Sequence, residues 1–411
     1  MKILQLCKKF PYPLKDGESI AVTYLSNALH NLGCEISLLS MNTTKHFTDL
    51  NELPVDFNHY KEIHVTDLDN TVNWLDAFKN LFSKDSYHVS RFVSTAFRDK
   101  LIQLLSTNDY DVVQLETLYL APYIDVIKEH SNALITMRAH NVEFEIWERI
   151  SKNTKFLPKK WYLRYLTHKL KRYELNHLNK YDYLIAVSDR DLKKFKALGY
   201  KNGAISSPIG LDLKNYTRIS KTNQSKDICF IGALDWMPNM EGLLWFLDNV
   251  WPDLHKKFPD IKFHIAGRNT PESLLNKQIE NVVIHGEVAD AIEFVSNHGM
   301  MVVPLFSGSG MRVKILEGMA LGKVVITTTL GKEGIDAVHG EQILIADDPS
   351  AFIEQISAVK SGKINTLQLG QAAKKFVEDY YDHGTNALKL LEKYRSLKDN
   401  PIYKKEMGNH S

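Results

Sequence analysis

The apolar positions of this 411-residue chain fall into short runs separated by longer stretches with helical spacing. In the first half the runs are Lys2–Cys7, Cys34–Met41, Asp111–Glu116, Ala133–Ala139 and Tyr183–Val187. In the second half they are Asp227–Gly232, Lys262–Ala266, Asn281–His285, Met300–Pro304, Lys323–Thr328 and Gln342–Ala346. Short apolar runs alternating with amphipathic helices predict an α/β fold with parallel sheets and crossover connections. Ligands of such sheets collect at the carboxyl ends of the strands. Chemistry is therefore expected in the loops after Leu6, Thr136, Phe230, Val303 and Ile326.

The chain is long enough for two domains, each with its own core. The stretch 206–226, SSPIGLDLKNYTRISKTNQSK, is polar and aperiodic, and it reads as an interdomain linker. On this reading residues 1–205 form a first Rossmann-like domain and 227–371 a second. Residues 372–397 read as terminal helices (AKKFVEDYY, then NALKLLEKYRSL), and 398–411 as a disordered tail.

Hydrophobic residues at 44% and charged residues at 24% are ordinary for a globular protein, and the net charge of +2 gives no reason to expect nucleic acid. Cys7, Cys34 and Cys229 are scattered without a CxxC pair, which argues against a disulfide framework or a zinc site and fits a reducing cytoplasm. MKILQLCKKF is too short an apolar run for a signal peptide, and no segment approaches the ~18 apolar residues of a membrane span. One stretch, 152–172, is basic, aromatic and free of acids. It could lie peripherally on an anionic membrane face, or Trp161, Leu163, Leu166 and Leu170 could face the core with the lysines solvated. Asp67-Leu68-Asp69 and Asp189-Arg190-Asp191 match a DxD spacing, a pattern too short to specify a metal.

The densest chemistry lies in Pro304–Ile335, PLFSGSGMRVKILEGMALGKVVITTTLGKEGI. It reads as strand, glycine-broken loop, helix, strand and a second glycine-rich loop. Gly308 and Gly310 allow a sharp turn and close approach of a ligand, and the helix that follows offers unpaired N–H groups to an anion such as a diphosphate. Arg312 and Lys314 add charge there, and Glu317, about two turns in, could accept hydrogen bonds from ribose hydroxyls. Taken singly, SGSG is also a plain flexible loop, and Lys314 with Glu317 a surface pair. No GxGxxG follows a strand, because GSGMRV carries valine at the third glycine, so a dinucleotide-dependent dehydrogenase is disfavoured.

The ordered string SGSG-x-R-x-K-I-L-E-x-M-A-x-G resembles the nucleotide-sugar site of family 4 glycosyltransferases with the GT-B fold. That resemblance implies two Rossmann-like domains facing a central cleft, with terminal helices crossing back to the first. It implies retaining transfer of a sugar from a nucleotide diphosphate sugar to an acceptor hydroxyl, in polysaccharide or lipid-linked glycan assembly. No cofactor or metal is expected, because such enzymes hold the leaving diphosphate with helix dipoles and basic side chains. His140, after the strand ALITM, matches a histidine that contacts the donor sugar; Arg138, Asn141 and Glu143 are its neighbours, and Asn141 is equally a helix cap. Catalytic roles would fall to His140, Arg312, Lys314 and Glu317. Donor contacts would fall to Gly17, Gly308, Ser309, Gly310, Met311, Gly331, Lys332 and Glu333, with Asp16, Glu18, Asp235, Asn239, Gly267 and Arg268 as weaker candidates. For Asp16 and Glu18, complementing a helix dipole explains the acids as well.

The chain departs from the commonest family pattern. Ala233 and Glu241 stand where an arginine and a lysine usually grip the diphosphate, and Ser309 replaces the first glutamate of an E-x7-E motif. Arg312 or Lys314 would then supply the missing phosphate charge. Two alternatives remain: a catalytically inactive glycosyltransferase-like binding subunit, and a nucleotide-sugar epimerase, which needs no acceptor.

Overall fold

The computed structural model describes residues 1–14, 16–55, 57–71, 86–217, 226–308 and 311–399. They form two compact units: Met1–Gly210 with the chain from His383 onward, and Leu211–Asp382. The proposed disordered tail lies almost wholly outside the described residues.

The first unit is built on seven parallel strands: β1 (Lys2–Cys7), β2 (Glu35–Thr43), β3 (Glu62–Leu68), β4 (Val112–Leu115), β5 (Leu134–Ala139), β6 (Tyr183–Ala186) and β7 (Gly203–Ser206). Their order is β3-β2-β1-β4-β5-β6-β7. The central strands are apolar on both faces because helices cover both sides of a parallel sheet; β1, β4 and β5 are buried along nearly their whole length. The sequence pattern missed β3 and β7. Both are edge strands, only partly buried, and so lack the apolar run that marks the others.

The second unit has six parallel strands: β8 (Ile228–Ile231), β9 (Phe263–Ala266), β10 (Val282–Gly286), β11 (Met300–Val303), β12 (Val324–Thr327) and β13 (Leu344–Ile345), in the order β10-β9-β8-β11-β12-β13. All six coincide with predicted runs. Each unit is thus a Rossmann-like α/β layer structure.

Two boundaries differ from the sequence reading. The stretch 206–226, read as an interdomain linker, holds the junction of the two units at Gly210 and Leu211, and its described part is structured. Ser206 ends β7, Leu211 donates its N–H to the Tyr381 carbonyl at 2.7 Å, and Lys214–Thr217 is a helical turn. The terminal helices also divide. Helix Thr366–Tyr380 stays in the second unit, where Gly370 lies so close to Gly322 that a Cβ would meet its carbonyl oxygen at 2.1 Å. Only helix His383–Lys398 belongs to the first unit, burying Ala387, Leu390, Leu391 and Tyr394 in one cluster with Ile3, Val22 and Leu25.

Helix Leu157–His177 settles the orientation of the basic aromatic stretch. Leu163, Leu166 and Leu170 are buried as expected for a core face, but Trp161 is 72% exposed.

Candidate functional site

In the first unit, β1, β4 and β5 are neighbours, and their carboxyl ends converge on Glu116. This residue follows β4 and is fully buried. One carboxylate oxygen accepts from Gln5 Nε2 at 2.6 Å and Gln114 Nε2 at 2.5 Å. The other lies 3.3 Å from Arg138 Nη1 and 3.1 Å from His140 Nε2. Burial alone would raise the Glu116 pKa, but Arg138, His140 and Gln5 outweigh it and hold the value at about 2. An ionised carboxylate can only accept, so the His140 nitrogen facing it carries a proton. The sequence reading named His140 and Arg138 and missed Glu116, their common anchor. Its signal was a carboxylate ending an otherwise apolar run.

Glu143 follows close behind. It accepts a 2.9 Å hydrogen bond from Tyr119 Oη, and burial raises its pKa against the pull of Lys8 and Tyr119. The cap position of helix Glu143–Asn153 falls on Val142, not Asn141. Glu174 does the capping instead: its carboxylate accepts the Glu143 and Phe144 N–H groups at 3.2 and 3.1 Å. Burial and the Glu143 charge push Glu174 up to about 8.

Gly17 is the first residue of helix Gly17–Asn31, with Asp16 as its cap, accepting from the Glu18 and Ser19 N–H groups. Asp16 also holds Lys9 at 2.7 Å, and Glu18 holds Lys8 at 3.1 Å. The acids therefore serve the helix and two lysines.

In the second unit, the loop after β11 and helix Val313–Ala320 bring Gly308, Met311, Arg312, Lys314 and Glu317 together. Ser309 and Gly310 lie outside the described residues. Gly308 has φ +97°, and a Cβ there would press on Trp236 and Pro238 at 3.2 and 3.3 Å, so the turn requires glycine. Arg312 is buried at the cap position of the helix. Lys314 reaches back across the sheet: its ammonium donates to Asn239 Oδ1 at 2.6 Å and to the Ile231 carbonyl at 3.4 Å, and sits 4.9 Å over the Phe230 ring. Burial first, then the Arg312 charge, lower its pKa to about 7, with Glu317 opposing. Glu317 accepts from Tyr216 Oη at 3.0 Å; burial raises its pKa against that bond and against Lys314. Tyr216 was missed because it lies in the supposed linker.

Asn239 joins these parts. Its amide donates to the Ala233 carbonyl at 2.8 Å while its oxygen takes Lys314. The Lys314 ammonium thus stands beside Gly232, next to Ala233; a Cβ on Gly232 would lie 3.2 Å from it. Glu241 accepts from Ser307 Oγ at 2.6 Å and so ties the glycine loop to helix Met237–Asn249.

The remaining candidates hold the scaffold. Gly331 is buried and donates its N–H to Thr328 Oγ1 at 2.9 Å, and the Lys332 ammonium is taken by the Ala337 carbonyl at 2.7 Å. Glu333 closes the same turn through its N–H to the Leu330 carbonyl at 3.2 Å. Asp235 accepts from Asn269 Nδ2 at 2.9 Å, and the Arg268 carbonyl accepts the Leu234 N–H at 2.9 Å. Gly267 lies against Gly232, where a Cβ would meet the carbonyl oxygen at 2.2 Å. Of the DxD pairs, Asp69 accepts the Thr71 N–H and Asp191 pairs with Arg190.

Comparison with known proteins places these features. Residues 225–361 match the family described as Glycosyl transferases group 1, so the second unit carries a glycosyltransferase group 1 domain. Over 300 residues the chain is 25% identical to an uncharacterised 44.6 kDa protein of the cps region of Klebsiella pneumoniae, covering 69% of this chain and 74% of that protein. Among solved structures, sucrose-phosphate synthase from Thermosynechococcus elongatus matches with a TM-score of 0.66 and 16% identity, covering 97% of this chain and 99% of that one. Anabaena Alr3699/HepE in complex with UDP matches with a TM-score of 0.66 and 16% identity, covering 97% and 100%. At such identities the likeness concerns the fold, and the fold class is GT-B.

Proposed function

We propose that this protein is a retaining family 4 glycosyltransferase that moves a sugar from a nucleotide diphosphate sugar to an acceptor hydroxyl in polysaccharide or lipid-linked glycan assembly. The observation that carries the reading is the cluster of Arg312, Lys314 and Glu317 behind a glycine turn, inside the domain that matches group 1. The cps-region relative supports the polysaccharide context, and the UDP carried by the Anabaena protein supports a nucleotide donor.

Cleavage of the anomeric bond leaves negative charge on the departing phosphate. On this reading Arg312, Lys314 and the N–H groups at the start of helix Val313–Ala320 stabilise it, with no metal ion required. Lys314 stands beside Gly232, next to Ala233, which supports it as the cation that replaces the arginine of the commoner pattern. Glu317, steadied by Tyr216, receives the ribose hydroxyls. His140, fixed through Nε2 by Glu116, positions the sugar. The acceptor attacks from the face the phosphate leaves, and the phosphate takes its proton.

The test is thermal unfolding with UDP, GDP, ADP, TDP and CMP, without and with magnesium. A ligand at ~100 times its dissociation constant adds ~2.7 kcal/mol. One diphosphate should raise Tm by several degrees regardless of magnesium, and Arg312→Ala should remove the shift. No shift with any nucleotide would overturn the donor reading and leave a binding subunit. Isomerisation of the donor sugar without an acceptor would point to an epimerase.

A further inference from the structure

The first unit carries a cavity of about 550 Å³ whose walls are not used by the chemistry above. It opens at the carboxyl ends of three adjacent strands. Lys8 and Lys9 follow β1, Lys45 follows β2, and Asn70 and Thr71 follow β3; Arg91 closes the side. Among the described residues, four cations, Lys8, Lys9, Lys45 and Arg91, line it with one carboxylate, Glu18.

Two of the cations are already matched. Lys8 pairs with Glu18 at 3.1 Å and Lys9 with Asp16 at 2.7 Å. Burial opposes ionisation of Asp16, but the Lys9 charge and hydrogen bond pull its pKa below the ordinary value, so this pair stays ionic. The remaining positive charge comes from Lys45 and Arg91. Lys45 is exposed and enters no ion pair among the described residues. Arg91 spends one N–H on the Asn70 carbonyl at 3.3 Å, and its Nε is buried without a hydrogen-bond partner among the described residues. The hydroxyls of Thr43, Thr44 and Thr71 line the same space. Cations beside hydroxyl and amide groups, in a volume within the range of small-molecule pockets, suit a polyol that carries an oxyanion.

The cavity also joins the His140 region. Lys8 and Glu18 line it, the Lys8 ammonium lies 4.5 Å over the Tyr119 ring, and Tyr119 donates to Glu143. We propose that this cavity binds the acceptor through a saccharide carrying a carboxylate or phosphate, with Lys45 and Arg91 receiving the oxyanion. The proposal rests on the glycosyltransferase reading for the word acceptor, but not for the binding itself.

The experiment is calorimetric titration of the intact protein, saturated with UDP, with glucuronate, glucose 1-phosphate and glucose. The charged sugars should bind, and glucose should bind at least about tenfold more weakly. Preference between carboxylate and phosphate names the oxyanion. Lys45→Gln and Arg91→Gln should each weaken the charged sugar by roughly tenfold. Arg91 also packs on Tyr87 and Phe92, so the exposed Lys45 is the safer variant if Arg91→Gln unfolds. Equal binding of all three sugars, no saturable binding of either charged one, or insensitivity to Lys45→Gln would overturn the proposal. Failure of UDP to shift Tm would instead strike the donor reading, and the sugar titration would still report on the cavity.

Discussion

Lys314 is where charge and ligand are most tightly linked. Its pKa is depressed to about 7, so near neutral pH the empty site carries its ammonium only part of the time. A bound diphosphate favours the charged form and raises that pKa again. By linkage, affinity is highest below the empty-site value and falls as pH rises through it. We expect UDP affinity to drop by up to about tenfold per pH unit between 7 and 9, with proton uptake in calorimetry, and Lys314→Met to be flat. A wild-type protein that is itself flat would mean that Lys314 does not meet the diphosphate. In the first unit, His140→Ala should lower turnover by about 10²-fold with UDP affinity unchanged, if the ring holds the sugar as proposed. Glu116→Gln should lower turnover in the same sense by loosening that ring; normal turnover in either variant would remove the pair from the mechanism. The residue scale also shows what the sequence could not carry. Arg312, Lys314 and Glu317 lie at the cap and along one short helix and were legible as a group. Glu116, at the end of β4, draws Gln5 from β1 and Arg138 and His140 from β5 and its end, and only the sheet order brings them together.

Elements were legible in proportion to their burial. β1, β4 and β5, and all six strands of the second unit, announced themselves as apolar runs, whereas β3 and β7 at the sheet edges did not. The two terminal helices show a different limit. Their amphipathic patterns predict helices, but not which core receives them; Gly370 against Gly322 and Leu391 against the β1 side decide that in space. This division makes a test. Leu391→Ala should cost about 2–5 kcal/mol in the first unit and leave UDP affinity intact. Gly370→Val forces backbone apart in the second unit and should lower the UDP-stabilised transition. If Leu391→Ala abolishes UDP binding, the division of helices between the units is functionally wrong.

At the scale of the whole molecule the net charge is only +2, so attraction to an acidic surface has to be local. Helix Leu157–His177 provides such a place. Phe156, Leu157 and Trp161 are 67%, 65% and 72% exposed, and Lys152, Lys155, Lys159 and Arg164 around them are exposed too. The stretch was legible as basic and aromatic, but the sequence could not say which apolar residues face outward. Leu163, Leu166 and Leu170 take the core side and leave Trp161 to solvent. No helix among the described residues is long and apolar enough to cross a membrane. Basic residues near an anionic surface contribute about 1 kcal/mol each, and inserted aromatics add apolar burial. We therefore predict binding to vesicles containing phosphatidylglycerol and none to neutral phosphatidylcholine vesicles, measured by co-flotation. High salt should release the protein, because the Debye length falls to about 3 Å at 1 M. Replacing Phe156 and Trp161 together by serine should reduce binding several-fold without lowering Tm, since neither side chain is buried. Equal binding to neutral vesicles, or full binding by the double variant, would show that this face serves solvent alone and that a lipid-linked acceptor must be met elsewhere.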